Sequence, residues 1–438
     1  MAPRLTGSPA VESLTPNQAL YRASPIMANN AAPVAVPPHV DPRLVVDFDY
    51  LNPPGLADHG DIYQAWRTLH EGPDIVWTPH HGGHWILTRG DDIQWAQITY
   101  QIFSHQELAV PRGTGIELPP ATVDPPETAR YRAVLNSSFT KKRVNDDYTP
   151  RTRALTNALI AKLKPNGKCE FVREFARVMP VSVFLSIIDL PVERREEFLQ
   201  WGDGLAQTQT RLHFQAKIAA YLGRILQERR ECPGNDVLSR IAAWRDSPRC
   251  KDEEEAIGMA MLVFAGGLDT VAAELSFAMH YLARHPRLQT RLREDPAIIP
   301  WASEEFLRRH AVSNTARLVV KKCERKGACL MPGDMVMVPM ALSAMDDRLY
   351  PKPLEVDFDR KCSSHHTFGN GAHRCVGEHL ARMELNVFLE EWFRVMPEVR
   401  LDPASAPLSH AGSVEGMTRL NLIWDTGFWP ASAAGASM

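Results

Sequence analysis

The chain has 438 residues, enough for two or three average domains or one large unit, and its hydrophobic (44%) and charged (23%) fractions are ordinary for a soluble globular protein. A formal net charge of −3 gives no reason to expect a nucleic-acid partner, and seven scattered cysteines with no CxxC pair argue against a disulfide framework and for a reducing cytoplasm. No run of about 18 apolar residues occurs, so no membrane span is expected, and the start at Met1-Ala-Pro-Arg-Leu lacks the apolar core of a secretory signal.

Residues 1–41 are rich in Ala, Pro, Ser and Asn and read as a flexible arm; residues 431–438 read as a flexible tail. Ile75–Thr78, His80–Gly83 and His84–Thr88 form a strand, a glycine turn and a strand. Arg112–Pro126 is loop, by its glycines and prolines. Helical periodicity then takes over, in Arg151–Leu163, Phe171–Ile188, Glu193–Leu205 and Phe214–Arg229. The longest helix is predicted from Glu253 to Arg284, about 45–50 Å at 1.5 Å per residue. A β-rich patch follows, Arg317–Lys322 and Ala328–Pro339, with a turn at Pro332-Gly333-Asp334, and a last long helix runs from about Val376 to just before Pro397. No linker interrupts residues 45–430, so the expectation is one mostly α domain over 42–430.

Two stretches carry chemistry. In Phe368-Gly-Asn-Gly-Ala-His-Arg-Cys-Val-Gly377, Cys375 sits between glycines at the start of a helical pattern. Backbone N–H groups at a helix start favour a thiolate, and an open thiolate is a haem-iron ligand. In Ala265-Gly-Gly-Leu-Asp-Thr270, two glycines stand inside the longest helix, where each costs about 1 kcal/mol relative to alanine. They leave a flat face on which a planar group or O₂ can approach the backbone, and Thr270 can bond back to the Gly266 carbonyl. A zinc cluster of His365, His366, His373 and Cys375 is disfavoured, because the spacing fits no common zinc pattern.

Phe368, Gly371, His373, Cys375 and Gly377 match F-x-x-G-x-[HR]-x-C-x-G, and residues 265–270 match [AG]-G-x-[DE]-T. Glu305-Phe-Leu-Arg308, between them, matches an ExxR pair. On these motifs the chain resembles the cytochrome P450 family, and over about residues 45–425 its bacterial class I branch, which includes camphor hydroxylases. The resemblance implies a mainly α fold with small β-sheets, a triangular helical prism with a long central helix over haem b. It implies Cys375 as iron ligand and Thr270 with Asp269 as the acid–alcohol pair that delivers protons to dioxygen. Arg132, in a run resembling DPPEHxxxR with Thr128 at the histidine position, Arg317, His373 and Arg374 are implied haem-propionate contacts. Phe368, Gly371, Gly266 and Gly267 complete the expected cofactor contacts.

The resemblance also places Ala109, Ile116, Leu118, Leu262, Ala265, Ser313, Ser413 and Val414 in the substrate pocket. Ile116 stands where camphor hydroxylase has a hydrogen-bonding tyrosine, Ala109 where it has phenylalanine, and Ser313 where it has valine. The expected substrate is therefore a somewhat larger or less polar terpenoid, a norisoprenoid or cyclic monoterpene; camphor hydroxylation proper and a non-catalytic haem-binding sensor are the alternatives. A thiolate-haem peroxygenase is disfavoured by the Asp–Thr pair. Electrons are expected from a [2Fe–2S] ferredoxin and an FAD-dependent NADH reductase, docking on a basic face of Arg89, Arg130, Arg132, Lys361 and Arg374. No membrane contact and a cytoplasmic monomer are expected. Residues 200–209 contain no Lys or Arg that could tie down Asp269, as a basic helix does in the camphor enzyme.

Overall fold

The computed structural model describes residues 33–56, 61–113, 116–207, 210–362 and 364–427. Numbered in chain order, its principal helices are α1 (Ile62–Arg67), α2 (Gly90–Ile98), α3 (Thr128–Asn136), α4 (Thr149–Leu163), α5 (Val178–Ile187), α6 (Arg195–Ala206), α7 (Arg211–Glu231), α8 (Val237–Arg245), α9 (Glu253–Gly266), α10 (Thr270–Ala283), α11 (Pro286–Glu294), α12 (Ile299–His310), α13 (Met340–Ala344) and α14 (Glu378–Val395). The strands are β1 (Ile75–Thr78), β2 (His84–Leu87), β3 (Phe103–Ser104), β4 (Lys168–Glu170), β5 (Asn314–Val319), β6 (Cys323–Arg325), β7 (Ala328–Leu330), β8 (Met335–Pro339), β9 (Val399–Leu401), β10 (Leu408–His410), β11 (Gly416–Arg419) and β12 (Asn421–Trp424). They form one five-stranded sheet, ordered β1-β2-β8-β5-β3, and small sheets β4-β12-β9, β10-β11 and β6-β7.

The β1–β2 hairpin forms where the alternating pattern put it, with Ile75 paired to Leu87 and Thr78 to His84. Its turn needs glycine: Gly83 has φ +79, and a Cβ there would lie 2.6 Å from the Trp77 ring. β8 joins β2 in parallel and β5 antiparallel, which carries β5 beside the loop that precedes α3.

The central helix is two helices. α9 starts on an Asp252 cap that accepts from the Glu255 N–H, with three glutamates in its first turn to suit the helix dipole. It stops at Gly266, and α10 begins at Thr270. Uniform apolar periodicity predicts one helix; the break falls at the glycine pair and at Asp269, whose φ of −117° is stretched from the usual helical value. Against the expectation of no candidate span, Glu253–Ala283 is the one stretch among the described residues long and apolar enough to cross a membrane (mean hydropathy 1.7). More than half of that window, 56%, is buried inside the fold, as suits a core helix pair.

The segment predicted as one helix over Phe171–Ile188 is a π turn, Val172–Ala176, followed by α5. Phe171 and Phe175 pack tilted against Phe388 and edge-on against Trp392 of α14, with centroids 5.1–5.8 Å apart. Burying each such ring stabilises by about 1.5–3 kcal/mol. On α12, the fully buried Arg308 donates twice to the equally buried Glu305 at 2.9 Å and to the carbonyls of Ala344, Pro353 and Glu355. Arg360 donates to the same Glu305 at 3.0 Å, so the pair ties α12 to the segment that leads into the cysteine loop.

The arm expected over 1–41 is shorter at its inner end. Val34 N–H donates to the Pro79 carbonyl, His39 bonds Asp334 at 2.9 Å, and Val40 is buried, so residues 34–41 pack on the body. Residues 1–32 and the tail 431–438 lie outside the described residues.

Candidate functional site

The cysteine loop is shaped by two left-handed glycines, Gly369 (φ +72) and Gly371 (φ +71), the second 3.5 Å in Cβ terms from the Gln97 carbonyl of α2. Cys375 N–H donates to the Phe368 carbonyl at 2.8 Å, and Gly377 caps α14. A Cβ on Gly377 would lie 3.8 Å from Cys375 Sγ. Burial pushes the Cys375 thiol pKa up; the Gly377 backbone N–H, Arg132 and Arg374 pull it down and do not prevail. The backbone N–H at the helix start lowers the thiol pKa, as expected, but burial outweighs it, and the charge of a bound metal ion would complete ionisation. The same cysteine presents exposed surface although it lies deep in the protein. A sulfur that the surrounding protein desolvates and that still keeps free surface is open to a ligand, and that suits the expected iron.

The glycine pair divides its work. Gly266 is exposed, and a Cβ there meets nothing within 4 Å, which fits a planar group laid against the helix. Gly267 does not share that face: a Cβ there would lie 2.3 Å from the Phe184 ring of α5. The direction a Gly267 side chain would take is filled by helix packing. Thr270 Oγ1 donates to the Gly266 carbonyl at 3.4 Å, as the spacing predicts.

Asp269 is half exposed, with its pKa raised by burial, lowered by Arg177 and raised by Asp203. Arg177 Nη2 stands 3.7 Å from Asp269 Oδ1 and donates to Asp203 Oδ1 at 2.6 Å. The basic partner missing from residues 200–209 comes instead from the turn before α5.

Arg132, on α3, is half-buried and acts electrostatically on Cys375. Arg317, on β5, is buried; its Nη1 donates to Thr315 Oγ1 and the Ala316 carbonyl while its Nε has no partner among the described residues. His373 Nε2 is likewise unpartnered, and its pKa is lowered to about 4 by burial, Arg317 and Arg132. Unpaired buried donors around Cys375 fit a carboxylate-bearing cofactor. Arg374 departs from expectation, since its guanidinium is committed to Glu378 at 2.7 and 3.0 Å. Thr128 is turned into the core and donates to the Pro120 carbonyl. Phe368 supplies its carbonyl to Cys375 and its ring to the Arg382 guanidinium, 4.5 Å above it.

The pocket candidates fall on two walls. The Ala316 N–H donates to the Leu108 carbonyl, Ser313 bridges Val414, and Asn314 N–H donates to the Ser413 carbonyl, which brings Ala109, Ser313, Ser413 and Val414 to β5. On the other wall, a Cβ at Gly258 would lie 2.9 Å from the Glu117 carbonyl, so Ile116 and Leu118 run beside α9, where Leu262 and Ala265 follow at i+4 and i+7. All of these are half-buried except the exposed Ser413.

The expected basic face is reduced. Arg89 is buried, bonded to Asp346 at 3.0 Å and Asp347 at 2.9 Å. Arg130 is paired with Glu255 and Glu127. His365 and His366 bond Glu304 and Ser343, away from any zinc-like cluster. Sequence reasoning missed Arg177 and His105, which reach the site through contacts distant in the chain and carry no motif, and it read Asp124 only as the start of the run that holds Arg132.

The sequence model of one family, Cytochrome P450, matches residues 213–396. A relative described as a probable cytochrome P450 127A1, from Sinorhizobium fredii, is 32% identical over 401 residues, covering 89% of this chain and 97% of its own length. The crystal structure of cytochrome P450 CYP101C1 superposes with a TM-score of 0.82 at 37% identity, over 89% of this chain and 100% of that one. That of CYP101J2 gives a TM-score of 0.82 at 34% identity, over 90% and 100%.

Proposed function

The chain belongs to the cytochrome P450 family and is a haem b monooxygenase that draws electrons from a redox partner, and we propose that it hydroxylates a small hydrophobic terpenoid or norisoprenoid, with Cys375 as the iron ligand. The observation that carries this reading is Cys375 itself: deep in the fold, held by Phe368 and Gly377, and still presenting free surface. Bound haem supplies the oxidising chemistry, in which O₂, two electrons and two protons yield one oxygen atom inserted at a C–H bond and one water.

The chain's own residues position and protonate. Arg132, Arg317 and His373 would hold the carboxylates of the cofactor, and the bare Gly266 backbone would leave room for a planar group. Asp269 holds a proton more readily than an ordinary carboxyl, because burial raises its pKa. In this proposal it gives that proton to the Thr270 hydroxyl as the hydroxyl releases its own toward the open face at Gly266, its bond to the Gly266 carbonyl, at 3.4 Å, being long enough to yield. Leu262, Ala265, Leu118, Ile116 and Val414 exclude water and grip an apolar substrate; no phenol stands at Ile116 to orient a ketone. Losing such a donor weakens orientation by about 0.5–1.5 kcal/mol. A [2Fe–2S] ferredoxin with an FAD-dependent NADH reductase is the proposed electron source, its likeness to the CYP101 structures being the support.

The reduced, CO-bound spectrum tests the ligand: wild type gives the red-shifted band and Cys375→Ser does not. A spin-shift titration tests the substrate, with norisoprenoids and cyclic monoterpenes converting the protein to high spin and camphor doing so poorly. Full conversion by low-micromolar camphor would overturn the substrate reading. Product formation with ferredoxin, reductase and NADH separates an enzyme from a haem-binding sensor.

A further inference from the structure

Three nitrogens close to one another have no hydrogen-bond partner among the described residues: His105 Nε2, His373 Nε2 and Arg317 Nε. His105 and Arg317 are 2% and 5% exposed, so water does not satisfy them from outside. The two imidazoles lie face to face, centroids 3.4 Å apart and planes 13° from parallel. Arg317 acts on both rings, and Arg132 acts on His373.

This arrangement holds surplus positive charge. The acid that acts on Arg317 is Asp124, and its oxygens are taken by the Ser104 hydroxyl at 2.5 Å and the His105 backbone N–H at 2.8 Å. The same two bonds fix the backbone under the His105 ring, while burial, Arg317 and His373 keep that ring neutral, with a single N–H to give. Buried donors of this kind are found paired in native proteins, so an unpaired set gathered around one ring stack points to a missing acceptor. A carboxylate has about four lone-pair sites and fits a group of Arg and His donors.

We propose that His105 is a cofactor-binding residue, which donates from Nε2–H to a haem propionate as a fourth member of the set formed by Arg132, Arg317 and His373. The proposal rests on the haem reading above and adds a residue that no motif marks. His105 reaches the set because Asp124 pins its backbone.

The test uses the full-length, haem-loaded protein and follows haem transfer to excess apomyoglobin, which does not depend on turnover. His105→Phe keeps the ring stack and removes the nitrogens; His105→Gln restores an amide donor. His105→Phe should release haem about five- to tenfold faster than wild type, the factor expected for one hydrogen bond, and His105→Gln should fall close to wild type. His105→Leu takes the place of the phenylalanine variant if that fails to fold. Release at the wild-type rate from His105→Phe overturns the proposal, and so does equal acceleration in the Phe and Gln variants, which would assign the effect to packing. A wild-type protein without the red-shifted CO band would overturn the haem-thiolate reading itself, which the release rates alone do not touch.

Discussion

Alanine at each of the two central glycines should act in opposite ways. At Gly266 the added methyl meets nothing within 4 Å, so the fold has no steric objection. Replacing glycine by alanine inside a helix gains about 1 kcal/mol, somewhat less here because Gly266 is the last residue of α9. At Gly267 the methyl would sit 2.3 Å from the Phe184 ring, and the nearest three ring atoms all lie within 2.5 Å. Phe184 is buried on α5 and cannot swing away, so overpacking of about 1–3 kcal/mol outweighs any helix gain. Gly266→Ala should therefore unfold at the same or slightly higher urea concentration than wild type, and Gly267→Ala at clearly lower. In function the order reverses: Gly266→Ala places its methyl in the open face and should weaken substrate-induced spin shifts or coupling, whereas Gly267→Ala, once folded, should retain them. Equal stabilities for the two variants, or normal spin shifts in Gly266→Ala, would refute the assignment of the two glycines to different faces.

Arg177→Leu removes the cation beside Asp269 and leaves Asp203 and burial, both of which raise its pKa; the pH profile of turnover should move upward, Arg177→Lys should restore part of the shift, and an unmoved profile in Arg177→Leu would count against the pairing. Glu415 is fully buried, accepts from Asn314 at 3.1 Å, and has its pKa raised to about 8 from 4.5. The folded protein then keeps a proton that the unfolded chain has lost, so stability falls as pH rises from about 4.5 to 8 and levels beyond; Glu415→Gln should remove a few kcal/mol of that slope, seen as a smaller loss of Tm between pH 5 and 8. Arg308→Leu removes the cation that serves Glu305 and three carbonyls, and should destabilise by about 3–5 kcal/mol in a urea melt and lower haem content, as expected when one partner of a buried pair is removed.

What could be read from the sequence was local. The β1–β2 hairpin, α4, α7 and α14 follow from residue periodicity, and the Cys375 loop and the Asp269–Thr270 step from motifs a few residues long. The break between α9 and α10 was hidden because the apolar pattern continues through it; only the packing of Phe184 on Gly267 shows that one glycine turns inward. Charges were the least legible. Arg89 and Arg130 read as surface cations because their carboxylates, Asp346 and Glu255, lie far along the chain. Arg177 escaped notice for the converse reason, since nothing near it in sequence mentions Asp269.

Those compensated charges bear on how electrons arrive. Of the cations expected to face an acidic partner, Arg89 is spent on Asp346 and Asp347, Arg130 on Glu255 and Glu127, and Arg374 on Glu378. Arg382 beside them is held by Glu304 and Glu378. An ion pair seen from more than a few ångströms is a dipole, and its field is screened within about 8–10 Å at physiological salt. Long-range steering by this set is therefore weak, with Lys361 as the exposed cation of the expected group. A ferredoxin would then be recognised mainly at contact, by exchanging its own carboxylates for Glu378 or Glu255 on arginines already in place. Such docking predicts a shallow dependence of the second-order reduction rate on ionic strength, together with a marked loss of rate when Arg374 is replaced by alanine. A steep salt dependence that survives Arg374→Ala would place the docking charges elsewhere on the surface.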